Sequence, residues 1–156
     1  MQNVEKCTMI SCLSKWIITA IPVFIFIVLA DFIINAVWLK DIYVQNTNLW
    51  RPEEETKKFF SWVLLYQAIL ALVFTALYCG VHRHSVNIPD ENRKSSMKSG
   101  LSFGITIGVL LGILHSAAYF MIPIPYELAI KWFAGGFLEG VGIGIILSFG
   151  CRKKTV

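Results

Sequence analysis

Asp31, His115 and Glu139 lie within stretches that are otherwise apolar enough for lipid, and the neutral Asn35, Gln67 and Thr75 join them there. An ionisable group at membrane depth is costly, so each marks a candidate site by default. Asp31, Asn35 and Trp38 fall at i, i+4 and i+7, one face of an α-helix. At a rise of about 1.5 Å per residue, Asp31, Gln67 and His115 lie roughly 10 to 12 Å below the same set of helix ends, and Glu139 about 18 Å. Three different helices thus supply polar groups at one level. An Asp with a His can form a proton-accepting pair or contribute to a divalent-metal site. Glu139 adds a third ligand only if the helices are tilted or staggered favourably. The plainer reading is a buried hydrogen-bond network that pins the helices in register. No HExxH, CxxC or GxSxG motif supports catalysis, and no cofactor or metal is specified.

The elements that position these groups follow from composition. Of 156 residues, 56% are hydrophobic and only 15% charged, more apolar surface than one soluble core of this size can hide. Four segments reach the roughly 20 apolar residues that a spanning helix needs: about 16–39, 52–81 (apolar from 59), 101–122 and 126–149. In lipid each must satisfy its backbone internally, which means helix, and a barrel would need alternating polar residues. The expectation is an all-α, polytopic membrane protein in a single domain, 1–156, with four transmembrane helices in an antiparallel bundle.

Nine Lys and Arg flank one side (Lys6, Lys15, Arg83, Arg93, Lys94, Lys98, Arg152, Lys153, Lys154) against five on the other (Lys40, Arg51, Lys57, Lys58, Lys131). That bias puts both termini in the cytoplasm. The formal net charge of +4 is then an orientation signal, and no nucleic-acid partner is expected. Val28-Leu29-Ala30 resembles a signal-peptide cleavage site, but the apolar run continues through Leu39, so the segment reads as retained. Cys7, Cys12, Cys79 and Cys151 all fall at or near the cytoplasmic face, with no zinc spacing. Lys153-Lys154-Thr155-Val156 reads as a positive-inside tail rather than a retrieval signal.

The stretch "LWRPEEETKKFF" predicts a helix that starts before the membrane does. Pro52 suits the first helical position, Glu53–Glu55 complement the dipole, and Glu53 with Lys57 and Glu54 with Lys58 are i,i+4 pairs. Trp38, Tyr43, Trp50 and Trp62 are expected in the interfacial aromatic belt. "HRHSVNIPDENRKSSMKSG" reads as a polar linker, with His82 and His84 interfacial. Pro123 and Pro125 stop the third helix and set the fourth beside it.

Gly100, Gly104, Gly108 and Gly112 recur every fourth residue, extended by Ser116, and Gly136, Gly140, Gly144 and Ser148 repeat the device. Such a glycine-zipper face lets backbones approach where lipid supplies little hydrophobic drive between helices. Helices three and four are expected to pack through these faces, or one face is left for another protomer or subunit.

"DFIINAVWLKDIY", "LWRPEEETKKFFSWVLLYQ", "YFMIPIPYELAIKW" and "GGFLEG" resemble a group of small bacterial four-helix membrane proteins. The likeness runs from Asp31 to about Gly144, with Leu49-Trp50-Arg51-Pro52 and Gln67 its most specific pieces. It implies a bacterial inner-membrane location and this fold, and no activity. The leading expectation is a non-enzymatic accessory or assembly subunit that works through glycine-faced packing, with other membrane subunits, its own copies and the lipid bilayer as partners. The rival is a small transporter or channel for an ion or small solute, using Asp31, Asn35, Gln67, His115 and Glu139, and an enzyme with tightly bound metal or lipid is the third option.

Overall fold

The computed structural model describes residues 9–84 and 93–150, and those residues contain helices and no strand. Four helical stretches are long and apolar enough to cross a membrane: Trp16–Trp38, Phe60–Gly80, Met97–Phe120 and Tyr126–Gly150. Their flanks expose large apolar residues such as Ile18, Leu29, Trp62, Ile69, Leu110 and Leu138, the surface that lipid solvates. The chain is a multi-pass membrane protein by this measure. Cys7, Cys151, the linker segment 85–92 and the tail signal at 153–156 lie outside the described residues.

The first span is not one continuous α-helix. Helix α1 runs Met9–Phe32 and continues as a π-helix over Ile33–Trp38, where the Leu39 N–H donates to the Ile34 carbonyl five residues back at 2.9 Å. A wider turn changes the angular step between side chains. The i, i+4, i+7 face expected for Asp31, Asn35 and Trp38 therefore does not carry through to Trp38, which is exposed. A short helix α2, Lys40–Gln45, and a single 3-10 turn, Thr47–Leu49, fold back against the end of the span.

The second expected helix also divides. Helix α3, Glu53–Lys58, is separated by a turn at Phe59 from helix α4, Phe60–His84. Pro52 has extended backbone (ψ 146°) and stands at the N-cap, one position before the one expected. Its carbonyl accepts from the Thr56 hydroxyl at 3.3 Å, which anchors the short turn. Lys57 pairs with Glu54 at i,i+3, 3.3 Å apart and exposed, and the expected Glu53 partner has its side chain outside the described residues. The Arg51 guanidinium lies 5.0 Å from the centre of the Phe59 ring, at the break. Helix α5, Arg93–Ser116, starts eight residues before the expected 101, so part of the presumed linker is helical. It ends through a 3-10 turn, Ala117–Phe120, before Pro123. Helix α6, Tyr126–Gly150, begins after Pro125, whose carbonyl accepts from the Leu128 N–H at 3.0 Å.

Helix α6 holds the others. A Cβ on Gly108 would stand 2.6 Å from the Phe137 carbonyl oxygen, and one on Gly112 2.8 Å from that of Phe133. From the other side, a Cβ on Gly136 would meet the Gly112 nitrogen at 2.9 Å, and those on Gly140 and Gly144 would run into the backbones of Gly108 and of Gly100 and Gly104. Gly104 faces the Gly140 and Val141 carbonyls at 3.0 Å. Helices α5 and α6 thus touch backbone to backbone, running in opposite directions. On another side of α6, Gly135 receives Ile34 and Gly142 receives Phe26, both from the first span. An apolar cluster of Val23, Ile27, Ala71, Phe74, Tyr78, Ile107, Leu111, Ile143 and Leu147 joins all four spans. A second, of Leu39, Ile42, Ile124, Leu128 and Ala129, closes the end that carries α2.

Replacing Gly140 by Ala is expected to destabilise the fold by about 1–3 kcal/mol, because one methyl must displace backbone. Gly80, with nothing within 4 Å of a would-be Cβ, is the control. Gly80→Ala is expected to be neutral or stabilising by about 0.5–1 kcal/mol through helix propensity alone. Reversible unfolding in mixed micelles measures both; equal effects at the two positions would contradict the close contact.

Candidate functional site

Between the two apolar clusters lies a polar layer. Along the first span the order is Ile27, then Asp31, Ile34 and Asn35, then Leu39; along α6 it is Leu128, then Trp132, Gly135, Gly136 and Glu139, then Ile143. Asp31, Ile34 and Asn35 of the first span and Trp132, Gly135, Gly136 and Glu139 of α6, with Leu114, His115 and Ala118 of the α5 end, line a cleft of about 380 Å³. Asn35, Leu114 and His115 are exposed, so the cleft is open at its side.

The convergence has a simple geometric cause. A helical side chain leans toward the N-terminus of its own helix. Helices α1 and α5 run toward the α2 end and α6 runs away from it. Asp31 and His115 therefore lean away from that end while Glu139 leans toward it. That offsets the extra depth that axial counting assigns to Glu139. The small residues Gly135 and Gly136 leave the space between; the His115 Nδ1 would stand 3.1 Å from a Cβ on Gly136.

A hydrogen-bonded chain forms one wall. The Trp132 Nε1–H donates to the Tyr43 hydroxyl at 2.9 Å, Tyr43 donates to Asn35 Oδ1 at 2.8 Å, and Asn35 Nδ2 donates to the Asp31 carbonyl at 3.0 Å. Indole is a donor only, so the Tyr43 hydroxyl must pass its proton on to Asn35, and that orients the amide. Gln67 of α4, 4% exposed, donates its Nε2–H to Asp31 Oδ2. It thus joins the layer by holding Asp31, without lining the cleft.

Glu139 differs from the other buried members of the layer. It is 5% exposed and its carboxyl has no hydrogen-bond or ion-pair partner among the described residues. No Lys or Arg lines the cleft. Among the described residues no three His, Cys, Asp or Glu side chains come together to hold a metal ion. The Asp–His–Glu metal arrangement that the sequence allows is therefore not formed: Gln67 occupies one Asp31 oxygen, and His115 sits over Gly136. Thr75 stands apart from the layer, its hydroxyl donating to the Ala71 carbonyl at 2.7 Å.

Tyr43 and Trp132 are the members that sequence reasoning misses as site residues. Trp132 sits seven residues before Glu139, on the same α-helical face, a signal present in the sequence. Tyr43 follows the π-turn and carries no such signal. With Trp50 the two form an edge-to-face aromatic group, the Tyr43 and Trp50 rings 5.0 Å and the Trp50 and Trp132 rings 6.0 Å apart. Tyr43 and Trp50 thus cap the layer, whereas Trp62 is exposed.

No family model, curated protein or solved structure matches the chain.

Burial pushes the Tyr43 phenol above its ordinary value of 10.0; the Trp132 N–H opposes this and the nearby Asp31 charge adds to it. Between pH 10 and the raised value the folded form keeps a proton that the unfolded form has lost, so stability falls as pH climbs through that window. Tyr43→Phe is expected to remove one late-titrating phenol from the ultraviolet titration of the folded protein. An unchanged alkaline limb in the variant would show that Tyr43 does not titrate late.

Proposed function

We propose that the chain is a small transporter for a cation or protonatable solute, with the cleft as its intramembrane site. The four spans form an antiparallel bundle with both termini cytoplasmic, in the bacterial inner membrane. The nine-to-five distribution of Lys and Arg supports that orientation, and the location proposed is the one that the resemblance to small bacterial membrane proteins implies.

The observation that carries the reading is Glu139. A buried carboxyl without a partner is costly, and here it borders an open-sided cleft with a second carboxyl, Asp31, across from it. A pure register network would satisfy its members, as Gln67 satisfies Asp31. The carboxyl therefore takes a proton or a cation as its counter-charge. His115, exposed at the rim, is suited to pass protons or screen the entrance. The rival role, an accessory subunit that binds others through glycine faces, loses its main support. Both rows of glycines face each other within the chain. Lipid remains the immediate partner.

The test is charge movement recorded from proteoliposomes on a solid-supported membrane during jumps in pH, sodium, potassium and alkylammonium. The wild type is expected to give a saturating current for at least one of them. Glu139→Gln, reconstituted at equal density, is expected to give no more than about one-tenth of it, a loss of roughly 1.4 kcal/mol or more in transition-state terms. Absence of current for every cation, or an unchanged current in the variant, would contradict transport through this site.

A further inference from the structure

Resting on that transport reading, we infer that the cleft selects a primary or secondary ammonium group carried on an apolar or aromatic body. Two carboxyls face the space and no Lys or Arg lines it, so the ligand carries the positive charge. Asp31 gives one oxygen to Gln67 and has no other side-chain partner among the described residues, and Glu139 has none. The acceptors available are thus one Asp31 oxygen and the Glu139 carboxylate. An ammonium with two or three N–H donors matches that set, whereas a quaternary ammonium has no donor to offer.

Size and lining narrow the choice further. The cleft, at about 380 Å³, lies at the small end of the roughly 300–1,000 Å³ of small-molecule sites. A bare alkali ion fills little of it, and a divalent ion lacks a third ligand. Ile34, Leu114 and Ala118 give the rest of the wall an apolar character, and the Trp132 ring adds a surface that attracts cations. The open side at Leu114 and His115 lets an amphiphile enter from the bilayer with its charged end leading. Glu139, nine-tenths buried and unpartnered among the described residues, presents a free carboxyl to the cleft.

The ammonium could belong to a free amine or to an ethanolamine lipid headgroup, and both satisfy the same chemistry. The experiment is equilibrium binding of radiolabelled phenethylamine to the full chain in phosphatidylcholine nanodiscs. Saturable binding is expected, at least tenfold weaker in Glu139→Gln and blocked in Ala118→Phe, which fills the cleft and leaves both carboxyls in place. Benzyltrimethylammonium is expected not to compete. Displacement of the label by phosphatidylethanolamine in the disc would make the lipid headgroup the source, and retention would make it a free amine. If Glu139→Gln fails to fold, Ala118→Phe decides. Binding unaffected by the folded variants, or competed equally by the quaternary ion, overturns the inference. No amine binding while a pH or alkali-ion current persists also overturns it and leaves transport standing. No binding and no current removes both.

Discussion

The backbone contact between α5 and α6 is the constraint on which the remaining geometry depends. Gly140 and Gly108 meet so closely that no side chain fits between them. Glycine weakens a helix in isolation, so the stabilisation must come from the contact itself. Inside lipid, where apolar side chains gain little by leaving one apolar surroundings for another, dispersion between closely apposed backbones takes that part. The same helix presents Gly135 and Gly142 to the first span, so both neighbours of α6 are set by what it lacks. Helix α4 joins through larger groups, such as Tyr78, whose ring lies 5.3 Å from that of Phe103.

That arrangement also creates the cleft. Small residues that bring α5 close along the length of α6 leave a gap where the α5 end turns into its 3-10 segment and the first span widens into a π-turn. Both departures from α-geometry border the polar layer. The apolar clusters on either side bound it along the helix direction, so the layer is confined to one depth. Within it, the chain from Trp132 through Tyr43 and Asn35 orients one wall, and Gln67 fixes Asp31. Glu139 is the buried member for which this framework supplies no partner among the described residues, and the functional reading rests on that difference.

Much of this geometry is legible in the amino-acid sequence. Apolar run length gives the four spans, Pro125 marks the start of α6, and the four-residue glycine spacing points to the faces that meet. Simple counting of rise per residue places Asp31 and Gln67 level, and they bond. The same counting leaves Glu139 too deep, because it follows the helix axes and ignores the opposite lean of side chains on antiparallel helices. Tyr43 escapes notice because a π-turn shifts the phase on which a periodicity argument relies. The break at Phe59 and the early start of α5 escape for a different reason. Hydropathy locates the part of a helix that lipid covers, and these two features lie where the polar sequence continues or interrupts the helix outside it.

The central claim, that an anionic cleft opens at membrane depth beside α5, is tested most directly by thiol accessibility in a chain with Cys7, Cys12, Cys79 and Cys151 replaced by Ser. His115→Cys stands at the cleft rim and Val109→Cys on the exposed apolar flank of the same helix. The account predicts that a trimethylammonio-ethyl methanethiosulfonate modifies position 115 at least ten times faster than its sulfonato-ethyl analogue, while position 109 reacts with neither. Equal rates for the two reagents at 115, or no reaction there at all, would contradict it.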